Sequence, residues 1–170
     1  MYSIDFQVEL EGAQVPVERM TAAICDTLDG HEISPDTALT VVIGDDERVR
    51  ALNRQFRGVD APTDILSFPA DAPPAPLDDA DAEPPYLGDL IIAYPYTVHQ
   101  ANELGHAVAD EFVLLVIHGT LHLLGYDHDT PENQDDMWAE QAELLSRAGV
   151  SITVPRFTFD DSTSGDDHAA

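Results

Sequence analysis

The chain has 170 residues, with 33 acids set against seven arginines and no lysine, for a formal net charge of -26. A field of that sign repels nucleic acid and anionic membrane, and it fits an adaptation to high salt, where screening lengths shrink to a few ångströms. A hydrophobic content of 44% supplies one core, no run approaches a membrane span, and the solitary Cys25 excludes an internal disulfide and a cysteine-built metal site. The opening Met1-Tyr2-Ser3-Ile4-Asp5 lacks the basic and apolar regions of a signal peptide, so the chain reads as cytoplasmic with no membrane partner.

Ile4, Phe6, Val8 and Leu10 alternate with polar residues and predict a half-buried strand. Pro16 suits a first helical position, and Val17, Met20, Ile24 and Leu28 follow at helical spacing, with Cys25 packed among them, until Asp29-Gly30. Residues 39–43 read as a second strand closed by Gly44. Asp45-Asp46 opens a helix whose inner face is Val49, Leu52 and Phe56. Four of the seven arginines, Arg48, Arg50, Arg54 and Arg57, sit in that helix. Such concentration in a chain poor in positive charge points to an anion site, since the planar guanidinium grips phosphate with two hydrogen bonds. Arg48 and Arg54 read as a solvated face, and Arg57, at the helix end, as functional.

Residues 60–64 turn into a third strand, Ile65-Leu66-Ser67-Phe68, ended by Pro69. Residues 70–85 are acidic and proline-rich and read as a mobile surface loop. The nearly continuous apolar run at 87–93 predicts a central or well-covered fourth strand. A helix from about Tyr96 to Leu104 ends at Gly105-His106, and another starts near Val108. Thr130-Pro131-Glu132 opens the last helix, along which Met137, Gln141, Leu144, Leu145 and Ala148 recur. Residues 157–170 cannot bury enough to fold and read as a disordered acidic tail behind one domain spanning 1–156.

The chemistry is concentrated in His118-Gly119-Thr120-Leu121-His122-Leu123-Leu124-Gly125-Tyr126-Asp127-His128. His118 and His122, four apart, share a helix face with Cβ atoms about 5–6 Å apart, close enough for both rings to reach one ion. In a continuing helix His128 would lie roughly 15 Å along the axis from His118, out of reach. Gly125 ends the helix and turns the chain back, so the three histidines form a metal site with a position left for water, as catalytic zinc sites have. The spacing matches the metzincin pattern H-E-x-x-H-x-x-G-x-x-H, except that Gly119 stands where those peptidases carry their general-base glutamate. A cage without that base points to metal-assisted hydrolysis of a bond other than a peptide, or to a base from elsewhere. Three imidazoles suit zinc, nickel or copper. Asp127 is placed either to orient a ligand ring or to cap the turn, and Thr63 and Ser67 read as structural hydroxyls. His31, His99, His106 and His168 have no partner at ligand spacing.

Together these stretches resemble the YbeY family, bacterial endoribonucleases associated with ribosomal RNA maturation. The resemblance rests on HGTLHLLGYDH at 118–128 followed by Met137, on LNRQFR at 52–57 with PTDILSFP at 62–69, and on LGDLII at 87–92. It covers roughly residues 5–148, with Ala61 where the family commonly has a lysine and a longer acidic insertion after Pro69. It implies an α+β fold with a four-stranded mixed sheet and helices around it, agreeing with the four strands and five helices read above. It further implies one zinc ion on His118, His122 and His128, and an arginine important for activity at Arg57. The implied function is metal-dependent cleavage of single-stranded RNA in ribosomal RNA maturation, at the 16S rRNA 3′ end, and in ribosome quality control, with ribosomal proteins as partners. A zinc hydrolase of another substrate and a non-catalytic ribosome assembly factor remain as alternatives.

Overall fold

A computed structural model describes residues 2–70 and 85–155, so the acidic segment within 70–85 and the tail 157–170 lie outside the described residues but for Ala70 and Pro85. The elements run β1 (Ser3–Val8), α1 (Val17–Asp29), β2 (Ala38–Gly44), α2 (Asp46–Arg57), β3 (Ile65–Pro69), β4 (Tyr86–Ala93), α3 (Tyr94–Leu104), α4 (Val108–Leu123) and α5 (Pro131–Arg147). The architecture is the expected one: a single α+β domain with one mixed sheet of four strands and five helices. Two limits shift. Pairing of β1 stops at Val8, short of Leu10, and α3 begins at Tyr94 because Pro95 fits a first turn, where its missing N–H costs nothing.

The sheet order is β1-β2-β4-β3. Strands β1, β2 and β4 are parallel, and β3 pairs antiparallel with β4 as an edge strand. β4 is therefore central, as its unbroken apolar run requires: Leu90 and Ile92 point to one face and Ile91 to the other. On the first face Leu39, Val41, Ile43, Ile65, Leu90 and Ile92 pack against α1 and α4, and on the second Val42, Leu66 and Ile91 pack against Val49 of α2. Helix α4 is apolar almost all round, with residues 111–117 buried, so it forms the spine between the sheet, α1 and α5.

Two close approaches fix α4 on the sheet. A Cβ added at Gly119 would lie 2.8 Å from Leu90 Cδ2 and 2.9 Å from Ile65 Cδ1, so position 119 faces the sheet, and any side chain there must push these two aside. At Gly88, with φ of 145°, an added Cβ would lie 2.3 Å from the Phe68 carbonyl oxygen, so only glycine allows β4 this path beside β3.

One expectation for α2 fails. Val49 is buried and Leu52 half-buried, but Phe56 is 60% exposed although it continues their helical stripe. Its ring meets the edge-strand residue Phe68, edge-on with centroids 5.3 Å apart. The last turn of the helix lies against the rim of the sheet, where apolar cover runs out. Asn53 is buried in its place, and its Nδ2 donates to the Ala61 carbonyl at 2.8 Å, tying the 60–64 turn to the helix.

Candidate metal centre

Helix α4 ends in a turn that the sequence specifies residue by residue. The Gly125 N–H donates to the His122 carbonyl and the Tyr126 N–H to the Leu121 carbonyl, each at 3.0 Å, with Gly125 at φ of 103°. These are the paired bonds of a Schellman motif, and glycine is needed at its left-handed position. The chain then returns and Asp127 accepts from the His128 backbone N–H at 2.7 Å, so of its two roles read from sequence it takes the turn cap. His31 braces the same turn: its Nδ1 donates to the Thr27 carbonyl at 2.8 Å, and its Nε2 lies 3.1 Å from the Tyr126 hydroxyl.

The result brings the three histidines together. One ligand nitrogen from each of His118, His122 and His128 lies within 4.8 Å of the others. His128 is buried at 1% exposure, and its ring centroid is 5.6 Å from that of His118 and 5.0 Å from that of His122. The edge of the cluster is walled by Trp138, at 6.0 Å from His118 and 5.7 Å from His128.

Hydrogen bonds at the outer nitrogens set the tautomers. The Nδ1 of His122 lies 3.0 Å from the Tyr126 carbonyl oxygen, which can only accept, so Nδ1 carries the proton and Nε2 the lone pair. The Nδ1 of His118 lies 2.9 Å from Gln141 Oε1, with the same consequence. Burial, followed by the neighbouring His118 and His128, pushes the His122 pKa down to about 3, so the ring is neutral around pH 7. The two Nε2 atoms face each other 3.1 Å apart. Two lone pairs at that distance repel unless a cation stands between them, and ligands on a tetrahedral ion with 2.0–2.1 Å bonds sit about 3.3 Å apart. The donor set and its spacing fit a metal ion.

Gln141 was visible in the sequence only as a member of the apolar stripe of α5. It is 1% exposed. A polar residue inside such a stripe needs a partner, and that was the signal available: Gln141 fixes a ligand ring from behind.

Arg57 is the last residue of α2, followed by Gly58 in the left-handed conformation. It is exposed, and its charge is among the influences that lower the His122 pKa. Arg48 pairs with Glu9 at 3.3 Å and Arg50 with Asp60 at 2.9 Å, whereas Arg57 makes no ion pair among the described residues. Arg48 thus has the structural role read for it; Arg54 likewise makes no ion pair among the described residues.

Beside His118 a cavity of about 280 Å³ is lined by Asp64, Gln100, His106, Glu111 and Trp138. Its polar end is a network: Gln100 Nε2 donates to Asp64 at 3.2 Å and to Glu111 at 3.0 Å, and His106 Nδ1 bonds the other Glu111 oxygen at 2.8 Å. Glu111 is 2% exposed and is satisfied by these bonds. His106 and Asp64 therefore serve to anchor the α3–α4 junction to the start of β3, while His99 only pairs with Glu103 at the surface.

Comparison with known proteins agrees with this architecture over most of its length. A family model described as Endoribonuclease YbeY matches residues 5–149. Among similar proteins, the Endoribonuclease YbeY of Geobacillus thermodenitrificans is 44% identical over 135 residues, covering 78% of this chain and 83% of its own. That of Roseiflexus castenholzii is 40% identical over 150 residues, covering 87% and 94%. A Thermotoga maritima protein solved in solution superposes with a TM-score of 0.53 at 26% identity, covering 87% of this chain and 89% of that one. With the family model spanning residues 5–149 and relatives of that name 40–44% identical over most of their length, the chain belongs to the YbeY endoribonuclease family.

Proposed function

We propose that this protein is a zinc-dependent endoribonuclease that cuts single-stranded RNA in ribosomal RNA maturation, at the 16S rRNA 3′ end, and in ribosome quality control, in the cytoplasm and in contact with ribosomal proteins. The observation that carries the reading is the pair of unprotonated Nε2 atoms of His118 and His122, 3.1 Å apart, with buried His128 beside them. Its relatives' names supply the RNA substrate. No single helix among the described residues is long and apolar enough to cross a membrane.

His118, His122 and His128 would hold the ion, which supplies Lewis acidity at a phosphoryl oxygen and acidifies water. The chain's own residues do the rest. Gln141 and the Tyr126 carbonyl keep the Nδ1 protons of His118 and His122 in place, so that both Nε2 atoms stay available as ligands. Arg57, exposed and without an ion pair among the described residues, grips the phosphate with its planar fork and offsets charge that develops on it. The metal-site position corresponding to the peptidase base is Gly119, packed against the sheet, which leaves that residue no part in proton transfer.

Incubating purified protein with single-stranded RNA tests the reading. Cleavage is expected to stop with chelator, return with added zinc and fall about 100-fold in Arg57→Ala, with only partial recovery in Arg57→Lys because a point charge lacks the fork. Cleavage that survives both chelation and His118→Ala would belong to a contaminant and would overturn the assignment.

A further inference from the structure

Among the described residues Phe56 is the most exposed large apolar side chain, and the metal centre does not use it. Burying a phenylalanine ring stabilises a fold, yet this one remains 60% exposed at the end of α2. It is not loose. Its ring meets Phe68 at 5.3 Å and an interplanar angle of 67°, and Phe68 packs in turn on the cluster of Val42, Leu66 and Ile91. A braced, exposed aromatic ring thus stands next in sequence to Arg57, the last residue of α2.

Resting on the RNA reading above, we propose that Phe56 is a stacking platform for an unpaired nucleobase of the strand whose phosphate Arg57 holds. An unstacked base needs a flat apolar face, and aromatic side chains supply one at little entropic cost because they have few rotatable bonds. The chain's charge sharpens the argument. At a formal net charge of -26 with seven cations, it cannot draw affinity from many phosphate contacts. Stacking is uncharged, works in high salt and tolerates any base. Phe56 and Arg57 then divide the labour: one ring for the base, one guanidinium for the phosphate.

The test is binding of a fluorescent single-stranded oligoribonucleotide to the full chain, with chelator present so that nothing is cut, over a range of salt concentrations. Phe56→Ala is expected to weaken binding about 10-fold at every salt concentration, within the range found for one base on one ring. Its slope of log affinity against log salt should match wild type, whereas Arg57→Ala should flatten the slope by about 0.7, the share of one phosphate contact on a single strand. Phe56→Trp should retain affinity. Phe56→Leu, which keeps the apolar bulk and guards against a folding defect, should lose nearly as much as alanine. On an oligomer with abasic sites, wild type and Phe56→Ala should bind alike.

Equal binding by wild type and Phe56→Ala overturns the proposal, as does an equal loss on the abasic strand. So does a wild-type dimer that Phe56→Ala dissociates, since the ring would then belong to an interface between copies. The outcomes separate from those of the nuclease assignment. A chain that shows the Phe56 dependence but cuts no RNA keeps the platform and loses the nuclease, and one that cuts RNA yet ignores Phe56 does the reverse.

Discussion

Gly119→Glu, which would complete the peptidase pattern H-E-x-x-H, is expected to prevent folding. The first added carbon already lies 2.8 Å from Leu90 and 2.9 Å from Ile65, both essentially fully buried. Overpacking of that kind costs about 1–3 kcal/mol. Two more carbons and a carboxylate must then enter the layer between α4 and the sheet, where an unpaired charge adds several kcal/mol. The sum approaches the whole stability of a domain, about 5–15 kcal/mol. Circular dichroism should show no cooperative melt. Gly119→Ala should survive, because the clashing atoms are the ends of flexible side chains and helix propensity returns up to about 1 kcal/mol, leaving Tm a few degrees lower. A folded Gly119→Glu protein with wild-type Tm would mean that α4 does not sit on the sheet as described. A glutamate at 119 is thus excluded by packing, whatever the chemistry.

The second large effect concerns the ligands. His118→Ala is expected to abolish stoichiometric metal binding and to lower RNA cleavage by roughly a thousandfold or more, since the ion is worth several kcal/mol in such reactions. Stability gives an independent readout. A metal that binds only the folded chain raises its stability by about 2.7 kcal/mol at a hundred times Kd, so zinc should raise the wild-type Tm by several degrees. The His118→Ala Tm should not respond. Equal shifts in both proteins would place the ion elsewhere.

What could be read from sequence was local. The His118–His122 spacing, the Gly125 turn and the return to His128 all lie within eleven residues. Covalent geometry and helix pitch decide them, so the convergence of the rings followed without tertiary information. The position of Arg57 at the end of α2 was legible for a similar reason, since Gly58 stops the helix there. The central place of β4 followed from its unbroken apolar run.

The misses were non-local. The stripe Val49, Leu52, Phe56 has correct helical phase, but where the sheet beneath α2 ends depends on β3 taking the edge, which no pattern within α2 encodes. His31 looked inert because its partner, Tyr126, is 95 residues away. Gln141 was read as part of an apolar face, and its role appeared only when α5 was packed against α4. In each case the residue type was right for its role and the partner was out of view.

The proposed activity needs His118, His122 and His128 to converge on one ion and to leave a position open to solvent. X-ray absorption on the zinc-loaded protein tests it directly. One zinc per chain is expected, with three nitrogen scatterers at about 2.0–2.1 Å showing the multiple-scattering pattern of imidazole, and an added oxygen shell from solvent. A closed shell of four protein ligands, or a sulfur scatterer at about 2.3 Å, would contradict the claim.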